Sequence, residues 1–540
     1  MDRRSFLHAS LCVVATKSGR IFEPGSQSDA LNSAIREDPQ LPTDPAFVKA
    51  MQAVQNAIPG AEADPDRPVY HFRPPAHWTN DPNGPFYFQG WHHLFYQFNP
   101  FGVQLAHQHW GHARSRDLVN WEHLPIAIWP SAELGETAIF SGGAAFTADG
   151  RPRLIYTSIG NRQPEQWLVL PKDEELFLWE KYAKNPVLSQ AAHIGGPISQ
   201  WRDPFMFRHD NSTYMVCGGA GANGRAQVQL YRSESGDLTQ WKHLGPIFQS
   251  MDRETRNFEC PNLFPLDGKW VMIVSPNRAC EYWIGDLDIA AMKFLPTAHG
   301  IVDPGDAYAS NISIDSKGRT ILWLWGRTAA LSPGLPVTPN EKAWSGVITM
   351  PRILSIGPDG YLLERPIPEF ETLRGSVLEF PGQALEKPSV IDGAATDCAE
   401  IEAVFAGSGT FGLELRRSAG GKPGVVVSIQ AGFQGTYLNV GNVRAYVGPA
   451  EKYKLHVFLD KRCIEVFAND GLVAVYKWVD APALDTGIAV FGQVAPLPKF
   501  PGGKPPAGMP DFAAPQPPRL ESLKLWPMRG STFSLDHFHV

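Results

Sequence analysis

The chain has 540 residues, 48 basic against 55 acidic, for a formal net charge of −7, so no basic excess points to nucleic acid and no acidic run marks a solvating tail. No apolar run approaches the ~18 residues that cross a bilayer. The six cysteines include no CxxC pair, which excludes a zinc ribbon and leaves them as small apolar residues.

Met1–Thr16 carries Arg3-Arg4 before Ser-Phe-Leu and a short apolar stretch, which resembles a twin-arginine export signal; residues 1–30 are read as that segment, and export to the periplasm or exterior is expected. Residues 31–66 read as a linker or pro-segment with one short helix around Pro45–Ile58.

From His71 the texture turns to hairpins rich in aromatic and β-branched residues. Strand segments meet at Gln89-Gly90, Asp149-Gly150, Asp210-Asn211, Asp267-Gly268 and Lys317-Gly318, all turn-forming pairs. The segments before these turns begin at Asp81, Ser141, Asp203, Glu259 and Asp306, spaced by 60, 62, 56 and 47 residues. A second repeat, SxDLxxW, recurs at Ser115–Trp121 and Ser235–Trp241, 120 residues apart. Several strands per repeat of this length indicate a β-propeller, and five starts indicate five blades over residues 67–365. If each start opens an innermost strand, Asp81, Asp203, Glu259 and Asp306 gather in one axial funnel. After about Pro366 short alternating strands indicate a β-sandwich over residues 366–540, interrupted by a proline-rich excursion at 496–518 and closed by a strand at Leu520–Trp526. The fold expected is all-β: a five-bladed propeller followed by a sandwich.

Taken singly, the acids have plain readings: Asp81 in Asn80-Asp-Pro-Asn-Gly84 as an Asx-turn cap, Asp203 as a local partner of Arg202, and Glu259 as a strand cap. Three acids at repeat-equivalent positions outweigh those readings, because turn geometry alone requires no acid at each.

Trp78-Thr-Asn-Asp-Pro-Asn-Gly84, Trp201-Arg-Asp-Pro204 and Phe258-Glu-Cys-Pro261 resemble three signature blocks of glycoside hydrolase family 32, the invertases, levanases and inulinases. Phe95–Pro100, Trp110–Ala113, Phe140–Gly142, Asp306–Ala309, Ala343–Arg352 and Leu459–Phe467 resemble further blocks, in the same order. The resemblance implies a retaining hydrolase of β-fructofuranosidic bonds in sucrose or fructans that needs no metal or other cofactor. Asp81 would be the nucleophile, Glu259 the acid/base, and Asp203 the stabiliser of the fructosyl transition state, with like charge from its neighbours raising the Glu259 pKa. Asn80, Gln97, Trp110, Phe140, Ser141, Arg202, Asp306 and a tryptophan at 323 or 325 (Trp325 in the pattern of the block) would form the sugar-binding shell. Thr79, Gly143 and Leu324 depart from the family's commoner residues and bear on the pocket rather than the chemistry. His107, His109 and His112 have metal-like spacing, but 112 points away from 107 and 109 in a strand, so no metal site is expected. The other readings are a fructosyltransferase of the same family, a non-catalytic fructan-binding protein, and an arabinan-active propeller hydrolase.

Overall fold

A computed structural model of the chain describes residues 40–328, 342–385, 388–432, 435–494 and 516–539. The expected export segment and most of the proline-rich excursion lie outside the described residues.

Five antiparallel sheets of four main strands follow one another from His77 to Pro366. Their first strands are His77–Phe88, Glu136–Phe146, Ser199–His209, Glu259–Leu266 and Ala307–Ile314. Each of these strands packs against the first strands of its two neighbours, and the last against the first, so the five form a closed ring. Trp344–Ser345 adds a parallel strand beside His77–Phe88, which ties the fifth blade to the first. The expected hairpin turns are in place, and Gln89-Gly90, Asp210-Asn211 and Asp267-Gly268 all have positive φ at both residues, the backbone that two-residue hairpins need. SxDLxxW occupies the same outer turn in the first and third blades, with Leu118 and Leu238 at φ 65° and 66°.

All five inner strands slip register near their starts. The shifts bracket Asp81, Phe140-Ser141, Asp203-Pro204, Cys260-Pro261 and Ala309. A bulge leaves one residue out of the ladder and re-aims its side chain, so five bulges at one height turn five short segments toward the axis. Proline at 204 and 261 fits there, because a bulged residue has no ladder hydrogen bond to lose. Gly142 is fixed by closeness: a Cβ would stand 2.0 Å from the Ile155 carbonyl oxygen.

The sandwich has two six-stranded sheets, one running from Leu378–Ala384 through Arg519–Pro527 to Val473–Trp478, the other from Ser389–Val390 to Val443–Tyr446. Alternation along Cys398–Ala406 sends Ile401, Ala403 and Phe405 into the inter-sheet core, while Glu400 faces the other way. Each fully buried aliphatic residue there is worth about 1.5–3 kcal/mol of transfer free energy.

Residues 45–62 differ from the linker expectation. Pro45–Glu62 is an eighteen-residue helix, capped by Asp44, which accepts from Ala46 N. Phe47, Ala50, Met51 and Val54 recur at helical spacing and are fully buried in the propeller core, so the segment is an element of the fold. After the helix, Asp64 accepts from Trp344 Nε1 at 2.8 Å and Asp66 from Lys342 and Arg462, which ties the strap to the closing strand and to the sandwich. The C-terminus also returns to the propeller, where Phe533–Ser534 pairs with the outer strand of the first blade.

A buried polar network joins propeller and sandwich. Arg352, with no exposed surface, bonds Asp303, Glu364 and Glu465 at 2.8–3.0 Å. His71 places Nδ1 on Asp460 at 2.9 Å and Nε2 on Glu465 at 3.1 Å. Carboxylates on both ring nitrogens make both nitrogens donors and push the His71 pKa up to about 9 against the cost of burial.

Candidate active site

The bulged starts bring Asp81, Asp203 and Glu259 together. The thiol of Cys260, next to Glu259, lies 3.5 Å from Asp81 Oδ2 and 3.8 Å from Asp203 Oδ2. Cys260 N donates to the same Asp203 oxygen at 3.0 Å. Arg202 bridges the other pair: its guanidinium donates to Glu259 Oε1 at 2.5 Å and approaches Asp203 Oδ2 at 3.7 Å.

Each carboxyl is held by donors from a neighbouring blade. Ser141 Oγ donates to Asp81 Oδ2 at 2.5 Å, and Asn80 Nδ2 to Asp81 Oδ1 at 2.9 Å. Trp78 Nε1 fixes the Asn80 amide by donating to its oxygen at 2.8 Å. Asp203 takes φ 63° and donates its N–H to Thr157 Oγ1 at 3.0 Å, so its side chain enters from strained backbone. Beneath the acids, Asn311 Nδ2 donates to the carbonyls of Gly142 and Pro82 at 3.0 and 3.3 Å and links the first, second and fifth inner strands.

Burial penalises every charge here. It raises the Asp81 pKa against the opposing bonds from Ser141 and Asn80, and Glu259 adds like charge. It pushes Asp203 up to about 7, with Arg202 opposing and Glu259 and Asp81 adding to the rise. The Cys260 thiol is driven well above its ordinary value by burial among these acids, so it stays a neutral thiol.

The sugar-shell residues divide. Asn80, Ser141 and Arg202 bond the acids directly, and Gln97 stands behind Ser141, donating to it at 3.3 Å and to Ile139 O at 2.9 Å. Phe140 is half-buried beside Ser141. Trp325 packs edge-on against Trp78, 5.5 Å between centroids, whereas Trp323 is core, bonded to Ser313 and packed on Trp121.

Two placements differ from the expectation. Trp110 has no exposed surface; its indole donates to Phe140 O at 3.1 Å and supports the strand from behind. Asp306 points away from the trio, its Oδ2 accepting from Lys477 Nζ at 2.8 Å and Trp478 N at 3.1 Å of the sandwich. Both partners lie about 170 residues downstream, beyond anything hairpin spacing reveals.

Three contributors went unread in the sequence: Cys260, Thr157 and Tyr308. The Tyr308 hydroxyl donates to Glu259 Oε2 at 2.5 Å. Tyr308 lies two residues past Asp306 in the same block, yet the two side chains take different partners.

The departures at Thr79 and Gly143 are packing matters. Thr79 is buried and donates to Gln97 O at 3.0 Å. A Cβ at Gly143 would meet Pro204 O at 3.0 Å. His112 shares a hydrogen with His93 at 3.0 Å, and His109 bonds the His107 carbonyl. Among the described residues, Glu400, Glu402 and His456 have metal-like grouping, but Arg374 already supplies the cation, bonding both oxygens of Glu400 at 2.6 and 2.7 Å.

Residues 71–366 match the N-terminal domain of glycosyl hydrolases family 32 and residues 369–495 its C-terminal domain. Sucrose-6-phosphate hydrolase of Bacillus subtilis is 29% identical over 460 residues, 78% of this chain and 91% of that protein. Levanase of the same organism is 31% identical over 457 residues, 75% of this chain and 65% of the relative. The crystal structure of fructan 1-exohydrolase IIa from Cichorium intybus superposes with a TM-score of 0.75 at 25% identity, covering 87% of this chain and 99% of that one. With both domain models placed in order over the propeller and the sandwich, the chain belongs to glycosyl hydrolases family 32.

Proposed function

We propose that this hydrolase of fructosidic bonds removes terminal β-fructofuranosyl units from sucrose and fructans by double displacement, with Asp81 as nucleophile, Glu259 as acid and then base, and Asp203 as the group that holds fructose hydroxyls. The observation that carries the assignment is the carboxyl trio itself, gathered on one thiol and one guanidinium. A retaining mechanism needs two carboxyl groups about 5 Å apart, flanking the scissile bond.

The donors sort the roles. Ser141 and Asn80 hold the Asp81 carboxylate with one hydrogen bond on each oxygen, which supports its ionised form against burial and fixes it for attack on the anomeric carbon. Glu259 is the most open of the two strand-start acids that contact Arg202, its side chain 21% exposed against 6% for Asp203, as fits a group that meets the leaving oxygen and then water. Asp203, raised to about 7, accepts or donates to a sugar hydroxyl according to its proton. Among the described residues, Gln97 Oε1, on the side chain that donates to Ser141, and Trp325 Nε1, on the ring packed against Trp78, are buried without a hydrogen-bond partner, and a sugar hydroxyl that reached either would satisfy it.

The Asn311 cross-ties close the ring beneath the acids, which supports exo attack at a chain end. Product analysis on sucrose, sucrose 6-phosphate, inulin and levan tests this. Free fructose as the early product is expected. Early mixed oligosaccharides without fructose mean endo attack, and fructosyl transfer in place of free fructose means a transferase.

A further inference from the structure

The two oxygens of Glu259 have different neighbours. Oε1 accepts from Arg202 and Oε2 from the Tyr308 hydroxyl, each at 2.5 Å. The same hydroxyl lies 2.9 Å from the Ser275 carbonyl oxygen and accepts from Asn277 N at 2.9 Å. Asn277 Oδ1 is a more distant acceptor at 3.4 Å; a phenol has one hydrogen, so of the two near acceptors it donates to Glu259 or to Ser275, never both at full strength. The ring itself is fixed. Tyr308 lies opposite Trp325 across the strand pair, beside the bulge at Ala309, with the Arg327 guanidinium 5.6 Å from its ring centroid. Burial and the Glu259 charge hold the phenol well above its ordinary pKa, so it keeps its hydrogen.

We propose that Tyr308 is a positioning residue that aligns Glu259 in both of its protonation states by swinging one hydroxyl hydrogen between the Glu259 carboxylate and the Ser275 carbonyl. This rests on the reading of Glu259 as acid/base. Arg202 has no acceptor to offer, so it keeps Oε1 free of the proton and the transferable proton sits on Oε2. While it does, the phenol hydrogen turns to Ser275. In the first step that proton passes to the leaving oxygen, which takes the electron pair of the breaking C–O bond, as Asp81 bonds to the anomeric carbon. The phenol hydrogen then swings to the new carboxylate. In the second step water gives Oε2 a proton, its oxygen bonds to the anomeric carbon, the bond to Asp81 breaks, and the phenol turns back. Tyr308 neither gains nor loses a proton over the cycle.

The test is kcat/KM for sucrose against pH in Tyr308→Phe, which keeps the ring and removes the hydroxyl. The carboxylate form of Glu259 loses a donor, so the alkaline limb should move up by about one pH unit. At the optimum, kcat should fall about tenfold with KM within about twofold. Replacing Tyr308 by 3-fluorotyrosine strengthens the donor and should move the limb down; this arm also serves if the Phe variant does not fold. A limb that stays in place in either protein overturns the proposal. Glu259→Gln separates the two failures: if it cleaves sucrose at the native rate, the acid/base reading itself is wrong, whereas an inactive Glu259→Gln beside an unmoved limb in Tyr308→Phe sinks only the role of Tyr308.

Discussion

Ser141 donates its hydroxyl to Asp81 Oδ2 at 2.5 Å across the seam between the first and second blades, so the proposed nucleophile of one blade is held by the next. The bond favours the carboxylate that burial disfavours. In Ser141→Ala the Asp81 pKa should rise further, and activity, which needs the carboxylate, should be lost at a higher pH on the acid side. The acidic limb of kcat/KM is expected to move up by about one unit, with about tenfold less activity below it. An unchanged limb means that Ser141 does not set the charge of Asp81.

Asp203 gives the site a stability signature. Its folded pKa of about 7 lies above the ordinary 3.8. Between those values the native chain binds one proton more than the unfolded chain, so this group makes stability fall as pH rises through that window. Asp203→Asn removes the effect and should be more stable than the native chain at pH 8, by roughly 2–4 kcal/mol, with the gap closing near pH 4. Urea unfolding of both proteins at pH 4.5, 6 and 8 checks this; parallel curves would contradict it. Activity is expected to be lost in the same variant, a trade common at functional sites.

The junction between propeller and sandwich depends on pH in the same direction, in a higher window. The folded pKa of His71, about 9, is raised above its ordinary 6.5, so its contribution is complete below about pH 6.5 and is lost as pH rises through 9. Native stability should fall by about 3 kcal/mol between pH 6.5 and 9.5 through this group. His71→Gln should lack that slope and be about 3–5 kcal/mol less stable at pH 6.5, because Asp460 and Glu465 lose their partner inside the junction. Urea midpoints at the two pH values decide it, and equal slopes in both proteins would refute it.

The helix before the first blade carries a packing prediction. Phe47 is fully buried, its ring tilted against that of Trp129 with 5.0 Å between centroids. Phe47→Ala should cost about 3–5 kcal/mol. A loss under about 1 kcal/mol, measured by urea unfolding, would return the segment to the status of a linker.

The blade architecture was legible because four of the five inner strands repeat one local chemistry: an acid or serine, a proline or glycine at or beside the bulge, then an apolar run into a tight turn; the fifth keeps the acid and the turn but has Ala309 at its bulge. For that reason Asp81, Asp203 and Glu259 were expected at one point, and the structure gathers them there. The bulges themselves were not readable, since a one-residue slip leaves composition unchanged while re-aiming a side chain. Nor was it readable that Tyr308 reaches Glu259 while Asp306, two residues before it, bonds Lys477 of the sandwich. Trp110 was assigned to the pocket from its block, yet the second blade covers it completely. The helix at 45–62 was seen short and unattached, because its partners Trp129 and Trp344 lie 85 and 280 residues from the capping Asp44 and the trailing Asp64.

The central claim is that Asp81 and Glu259 act in different steps, and the most direct measurement is initial rate with and without azide for Asp81→Asn and Glu259→Gln, on sucrose and on a fructofuranoside with an activated leaving group. Glu259→Gln should lose about 10²–10⁴-fold on sucrose. It should still form the covalent intermediate from the activated substrate, and azide should restore turnover by replacing the missing base. Asp81→Asn should stay inactive on both without restoration of ordinary turnover. Equal losses of Glu259→Gln on both substrates, with no rescue by azide, would contradict the account and place the acid/base on another residue.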